Sequence, residues 1–195
     1  MKHGKREQLT YPSLEEMEQE ISRIKYKGRF GSALRGTLYS LAVVAAIAVL
    51  IATLWMPVLQ ITGTSMEPNL VNGEIVLSVK DTSFETGEIV AFYYNNKILV
   101  KRAIASAGSW VDIDLDGNVL VNGIPLDEPY LTEKALGECN IELPYQVPDG
   151  KIFVMGDDRA VSLDSRTTAV GCVSQEQILG RVVFRIWPFG RFGSI

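Results

Sequence analysis

Histidine is almost missing from this chain. Of 195 residues only His3 is one, and residues 60–195 contain none. A hydroxyl nucleophile in that stretch has no imidazole to activate it, which excludes a Ser-His-Asp triad there. Cysteine is nearly as scarce. Cys139 and Cys172 stand 33 positions apart, without ligand spacing and without a nearby histidine, so no zinc site is expected. No other metal and no cofactor is expected either. Whether the two thiols pair is not decided by their spacing. Positive charge is short in the distal part: residues 60–195 carry 11 Lys and Arg against 18 Asp and Glu, a net of −7. That disfavours nucleic acid or another polyanion as a partner. Internal repeats and low-complexity tracts are absent.

Long apolar runs are also few, but one is present. Residues 38–59 contain no charge, and none occurs anywhere between Arg35 and Glu67. As a helix at ~1.5 Å per residue this run spans ~33 Å, enough to cross a hydrocarbon core of ~30 Å. A core helix is seldom apolar on every face for this length, and a 36-residue polar lead does not suit a cleaved secretory signal. Residues 38–59 are therefore expected to be a permanent anchor, with Trp55 near the interface. Arg23, Lys25, Lys27, Arg29 and Arg35 precede the run with no acid among them. The positive-inside rule then places residues 1–37 in the cytoplasm and 60–195 outside, as a single-pass protein of the cell membrane in contact with its lipid. Residues 1–12 are expected to be unstructured. Ser13-Leu14-Glu15-Glu16 reads as a capping box, and Leu14, Met17, Ile21 and Ile24 form the narrow stripe of a short amphipathic helix.

Past the anchor the apolar period changes from helical to two. Residues 74–79, 88–94, 98–100, 111–115, 118–121, 151–155 and 180–186 read as strands, with turns at Asn95-Asn96, Asp116-Gly117 and Asn122-Gly123. Residues 126–150 are weakly patterned, and about 108–150 is expected to be a smaller, hairpin-containing insertion. The fold class is thus mainly β, an antiparallel β-sheet domain behind one N-terminal transmembrane helix.

Ser65 lies in Gly63-Thr64-Ser65-Met66-Glu67-Pro68, just beyond the anchor. Without histidine its base must be another group, and a lysine serves when burial keeps its amine neutral. Lys80, Lys97, Lys134 and Lys151 fall in turns or at strand edges. Lys101 follows Ile98-Leu99-Val100 and precedes Arg102-Ala103-Ile104-Ala105, the most apolar surroundings of any distal lysine. Local sequence alone favours a strand-end lysine reaching for water.

Three segments taken together resemble the signature boxes of bacterial type I signal peptidases: Gly63-Thr64-Ser65-Met66-Glu67-Pro68-Asn69-Leu70, then Lys101-Arg102, then Gly156-Asp157-Asp158-Arg159-Ala160-Val161-Ser162-Leu163-Asp164-Ser165-Arg166. Their order matches, and the serine box follows the anchor as in that family. The resemblance extends over roughly residues 38–190. It implies a membrane-bound serine endopeptidase of signal peptidase fold that removes signal peptides from secreted preproteins after small residues at −1 and −3, acting as a monomer. It makes Ser65 the nucleophile, Lys101 the general base, and Ser162 the partner that hydrogen-bonds and orients the Lys101 amine. It gives Asp157, Asp164 and Arg166 a bracing role. Asp158 departs from the usual Asn, and Gly63 stands where some members carry a hydroxyl that helps the oxyanion hole. An extended substrate is expected to add beside residues 60–62 and 98–100, with Ile61, Met66, Leu70, Leu99 and Val100 forming shallow pockets. A soluble self-cleaving repressor would lack the anchor, a eukaryotic-type enzyme would carry histidine in place of Lys101, and a membrane receptor would have no need of the three boxes.

Overall fold

Ser13 opens the first element by reciprocal capping: Glu16 N–H donates to Ser13 Oγ at 3.2 Å and Ser13 N–H to Glu16 Oε2 at 2.9 Å. Two otherwise unsatisfied donors are used in this way. From there one helix, α1 (Leu14–Trp55), runs without a break. The computed structural model describes residues 13–81 and 84–195. The expected unstructured residues 1–12 lie outside it, as do the side chains of Ile24, Lys25, Lys27 and Arg29. Leu14, Met17 and Ile21 are exposed.

Two expectations change here. The amphipathic and apolar segments are one continuous helix, not two. Its membrane-length part is Leu34–Trp55, with a mean hydropathy of 2.3 and exposed side chains, so residues 58 and 59 do not belong to it. Pro57 has no N–H for the helical ladder, and Val58 and Leu59 leave the helix to pair with Leu77 and Val76. By its contacts the chain divides into two units, Met1–Ile51 and Ala52–Ile195.

The second unit is built from antiparallel strands: β1 (Val58–Gln60), β2 (Ile75–Val79), β3 (Ile89–Tyr94), β4 (Lys97–Ala105), β5 (Trp110–Ile113), β6 (Val119–Val121), β7 (Ile124–Pro125), β8 (Tyr145–Gln146), β9 (Lys151–Met155), β10 (Val173–Ser174), β11 (Ile178–Trp187) and β12 (Gly193–Ser194). The larger sheet has the order β1-β2-β11-β3-β4-β9-β10, with β12 beside β11, and the smaller one β7-β6-β5-β8. Asn95 and Asn96 both have positive φ (45° and 63°), as do Asn122 and Gly123 (54° and 78°). These are the conformations a two-residue hairpin needs, and they connect β3 to β4 and β6 to β7. The Asp116-Gly117 turn is longer, because the Asp114 carboxylate accepts N–H groups from Asp116 and Asn118 and closes a wider loop.

Period two sorts β3 onto both faces of the larger sheet. Ile89 and Ala91 pack with Ile61, Met66, Leu70, Val76 and Val182, whereas Val90 and Phe92 pack with Ala103, Ile152, Val154 and Val173. A third cluster joins Ile104, Phe153 and Met155 of the larger sheet to Val111, Ile113 and Val119 of the smaller. The region 108–150 is thereby tied to β4 and β9, the strands that bear or precede two of the three boxes.

Candidate active site

Ser65 sits in the turn that connects β1 to β2. Gly63 begins this turn at φ +88°, a region that only glycine enters freely, and its N–H is held by Asn72 Oδ1 at 3.1 Å. Met66 and Leu70 are buried in the core below and fasten the turn there. Its far end is held by Arg185, which bonds the Asn69 carbonyl at 2.5 Å and Glu74 at 2.8 Å.

Lys101 lies in β4 opposite Val90 and is only 3% exposed. Its Nζ stands 2.6 Å from Ser65 Oγ. Burial pushes the Lys101 amine down from 10.5 to about 8, while Asp164 and Asp157 oppose that shift and Arg166 assists it. Each of the two carboxylates is also committed to a guanidinium. Arg102 meets Asp157 with two bonds, Nε to Oδ1 at 2.7 Å and Nη2 to Oδ2 at 2.5 Å. Arg166 meets Asp164 in the same two-pronged way, at 2.8 Å each.

The third box, residues 156–166, wraps the pair. Gly156 N–H donates to Asp164 Oδ2 at 2.9 Å, and Asp158 N–H donates to the Ser65 carbonyl at 3.1 Å. Arg166 reaches back to the carbonyls of Leu136, Arg159 and Ser162 at 2.6, 2.9 and 3.3 Å. Glycine at 156 is required by space: a Cβ there would come within 2.2 Å of Ser162 Oγ and 2.4 Å of the Ser65 carbonyl. Ser162 is buried against this glycine, and its Oγ has no hydrogen-bond partner. The expected bond from Ser162 to the Lys101 amine is therefore not made in this structure. A buried hydroxyl left unpaired costs roughly 1–3 kcal/mol.

A cleft of about 460 Å³ opens on Ser65 and Lys101, with Ile61, Met66, Leu99 and Val100 in its walls. Leu70 does not line it. That side chain is fully buried beneath the turn, because it packs into the sheet core with Val76. Cys139 and Cys172 are free thiols. Residue-by-residue reading also missed a second set of groups. The Tyr130 ring lies over the Arg102 guanidinium at 3.9 Å, Glu128 is ion-paired with buried Arg159, and Asn69 bonds Asp157 at 2.8 Å. Arg102 and Arg159 lie inside the boxes and carried a signal; Glu128 and Tyr130 fall in the weakly patterned stretch and carried none.

Comparison with known proteins follows the same outline. The family model "Signal peptidase, peptidase S26" matches residues 34–187. Signal peptidase IB of Staphylococcus aureus (strain Mu50) is 35% identical over 175 residues, covering 80% of this chain and 90% of that protein. Thylakoidal processing peptidase 1 of the Arabidopsis thaliana chloroplast is 37% identical over 145 residues, covering 66% of this chain and 41% of that protein. A crystal structure of a signal peptidase I from Enterococcus faecalis, 28% identical, matches 51% of this chain and 96% of its own with a TM-score of 0.44.

Proposed function

The chain belongs to the signal peptidase family, peptidase S26, and is a serine endopeptidase that cleaves signal peptides; from that premise we propose that Ser65 and Lys101 form its catalytic dyad. The observation that carries this reading is the 2.6 Å approach of Lys101 Nζ to Ser65 Oγ in a setting that lowers the lysine to about 8. As a free amine, Lys101 accepts the Ser65 hydroxyl proton while Oγ bonds to the scissile carbonyl carbon. The Ser65 N–H offers a donor to the developing oxyanion; the Gly63 N–H is already taken by Asn72. The Lys101 ammonium then protonates the leaving amine, which departs as the new N-terminus of the mature protein. A water, deprotonated by the same amine, hydrolyses the ester on Ser65 and frees the signal peptide.

Ser162, Asp157, Asp164 and Arg166 support this pair. The Ser162 hydroxyl, buried and unpaired, is the group this reading assigns to orient the amine. Asp164 and Asp157 pull a proton towards Lys101, and Arg166 offsets part of that pull. Ile61, Met66, Leu99 and Val100 give the cleft apolar walls suited to small −1 and −3 side chains, with the substrate extended between residues 60–62 and 98–100. The chain acts as a monomer at the cell membrane, anchored through Leu34–Trp55 with residues 60–195 outside.

Cleavage of a preprotein by the full-length enzyme tests the dyad. Ser65→Ala and Lys101→Ala are each expected to abolish cleavage while leaving the fold intact, and the double variant to be no worse than either single one, since the two act as a unit. Substantial cleavage by Lys101→Ala would remove Lys101 from the mechanism.

A further inference from the structure

Three separate chain segments meet in the site: the turn bearing Ser65, the strand bearing Lys101, and the loop of residues 156–166. Each contributes one further residue to a single cluster behind the cleft. Asn69, four residues beyond Ser65, donates through Nδ2 to Asp157 Oδ2 and to the Tyr130 carbonyl, both at 2.8 Å. Arg102, the residue after Lys101, is fastened to Asp157 and also donates through Nη1 to the Gly87 carbonyl at 2.6 Å. Tyr130 closes the cluster, with its ring 3.9 Å from the Arg102 guanidinium and its hydroxyl donating to Glu128 Oε1 at 3.2 Å. Glu128 is in turn ion-paired with Arg159, whose Nε donates to the Gly156 carbonyl at 3.1 Å. Asn69, Arg102 and Tyr130 are all absent from the walls of the cleft that opens on Ser65 and Lys101.

We propose that Tyr130 and Asn69 are positioning residues that clamp Arg102 onto Asp157 and thereby set both where Lys101 stands relative to Ser65 and how readily its amine is neutral. This rests on the reading of Lys101 as the general base. A guanidinium over an aromatic face is held electrostatically by the ring, and a two-pronged Arg–carboxylate pair keeps its geometry only while both groups are confined. Since Arg102 directly follows Lys101 in β4, the place where its head is fastened fixes the backbone from which Lys101 extends. The charged groups that bear on Lys101 are Asp157, Asp164 and Arg166, with the Ser65 hydroxyl in contact. If the clamp loosens, Asp157 loses part of its neutralising partner and water gains access. Both changes favour the ammonium. The base then becomes free only at higher pH.

The test is the pH dependence of kcat and KM for the full-length enzyme in detergent, on a substrate carrying a signal peptide. Wild type, Tyr130→Phe, Tyr130→Leu and Asn69→Ala are compared. For Tyr130→Leu and Asn69→Ala the acid limb is expected to move up by ~0.5–1 pH unit, so that kcat at pH 7 falls roughly 3- to 10-fold and recovers at alkaline pH. KM should stay within about twofold, as expected for groups that do not touch substrate. Tyr130→Phe keeps the ring over Arg102 and should behave like wild type. Should Tyr130→Leu not fold, Asn69→Ala carries the same test, because it removes the bonds to Asp157 and to the Tyr130 carbonyl without emptying the space the ring fills. A rate loss equal at every pH, a loss confined to KM, or a Phe variant as impaired as Leu would overturn the proposal. Failure of the underlying base assignment would show differently, as a wild-type profile with no limb near 8.

Discussion

At the scale of single residues the site is governed by one costly choice, a lysine amine buried beside a serine. In the unfolded chain Lys101 holds its proton up to 10.5, and in the folded chain only up to about 8. Between these values the unfolded state binds the extra proton, so stability rises with pH across that window. Below about 8 the folded ammonium carries the full penalty, at most roughly 3 kcal/mol at ~1.36 kcal/mol per unit. Replacing the amine by an apolar group of similar length should remove that penalty. Lys101→Met is therefore expected to be inactive yet more stable than wild type by about 1–3 kcal/mol at pH 7, a gain that fades as pH approaches 10.5. Denaturant unfolding at two pH values measures it, and a destabilised Lys101→Met at pH 7 would mean that the amine is not strained by burial. This trade of stability against activity is common where a site must keep an unfavourable charge state available.

At the scale of elements, the hairpin between β3 and β4 does two jobs. It sets the register that puts Lys101 opposite Val90, and Asn96 and Lys97 form one end of the cleft. Asn95 and Asn96 adopt left-handed conformations that most side chains resist. Asn95→Ala and Asn96→Ala are each expected to cost about 1 kcal/mol, and Asn96→Gly to cost nothing or add stability; thermal unfolding of the three variants checks this. Much of this level could be read from the chain itself. Period two gave β2, β3, β9 and β11 nearly to their ends. β1 stayed hidden because Val58 and Leu59 continue the apolar run of the helix, with Pro57 as the mark of the break. β8, two residues long, has no periodicity to read. The bonds among Asn69, Arg102, Tyr130 and Asp157 were illegible for another reason: they connect positions up to 88 residues apart, and nothing local records such a pairing. Ser65, Lys101 and the third box stood out as candidates because each sits in a short segment of distinctive residue types.

At the scale of the whole molecule, charge asymmetry along the chain makes a prediction about which side of a membrane the site faces. Five basic residues, Arg23, Lys25, Lys27, Arg29 and Arg35, come just before the uncharged run 38–59, and the 14 residues after Leu59 contain no basic one. The N-terminus is thus expected in the cytoplasm and the C-terminus outside. Protease added to intact spheroplasts should remove a tag at residue 195 and spare one at residue 1; the reverse pattern would place Ser65 away from exported preproteins. The claim on which everything else depends is that Lys101 is a free amine when it meets Ser65. Its most direct test is an NMR titration of the Lys101 Nζ, or of its attached methylene, in the full-length protein with the other lysines as internal references. A midpoint near 8 is expected, with kcat/KM rising through the same pH. A midpoint at or above 10 would contradict it.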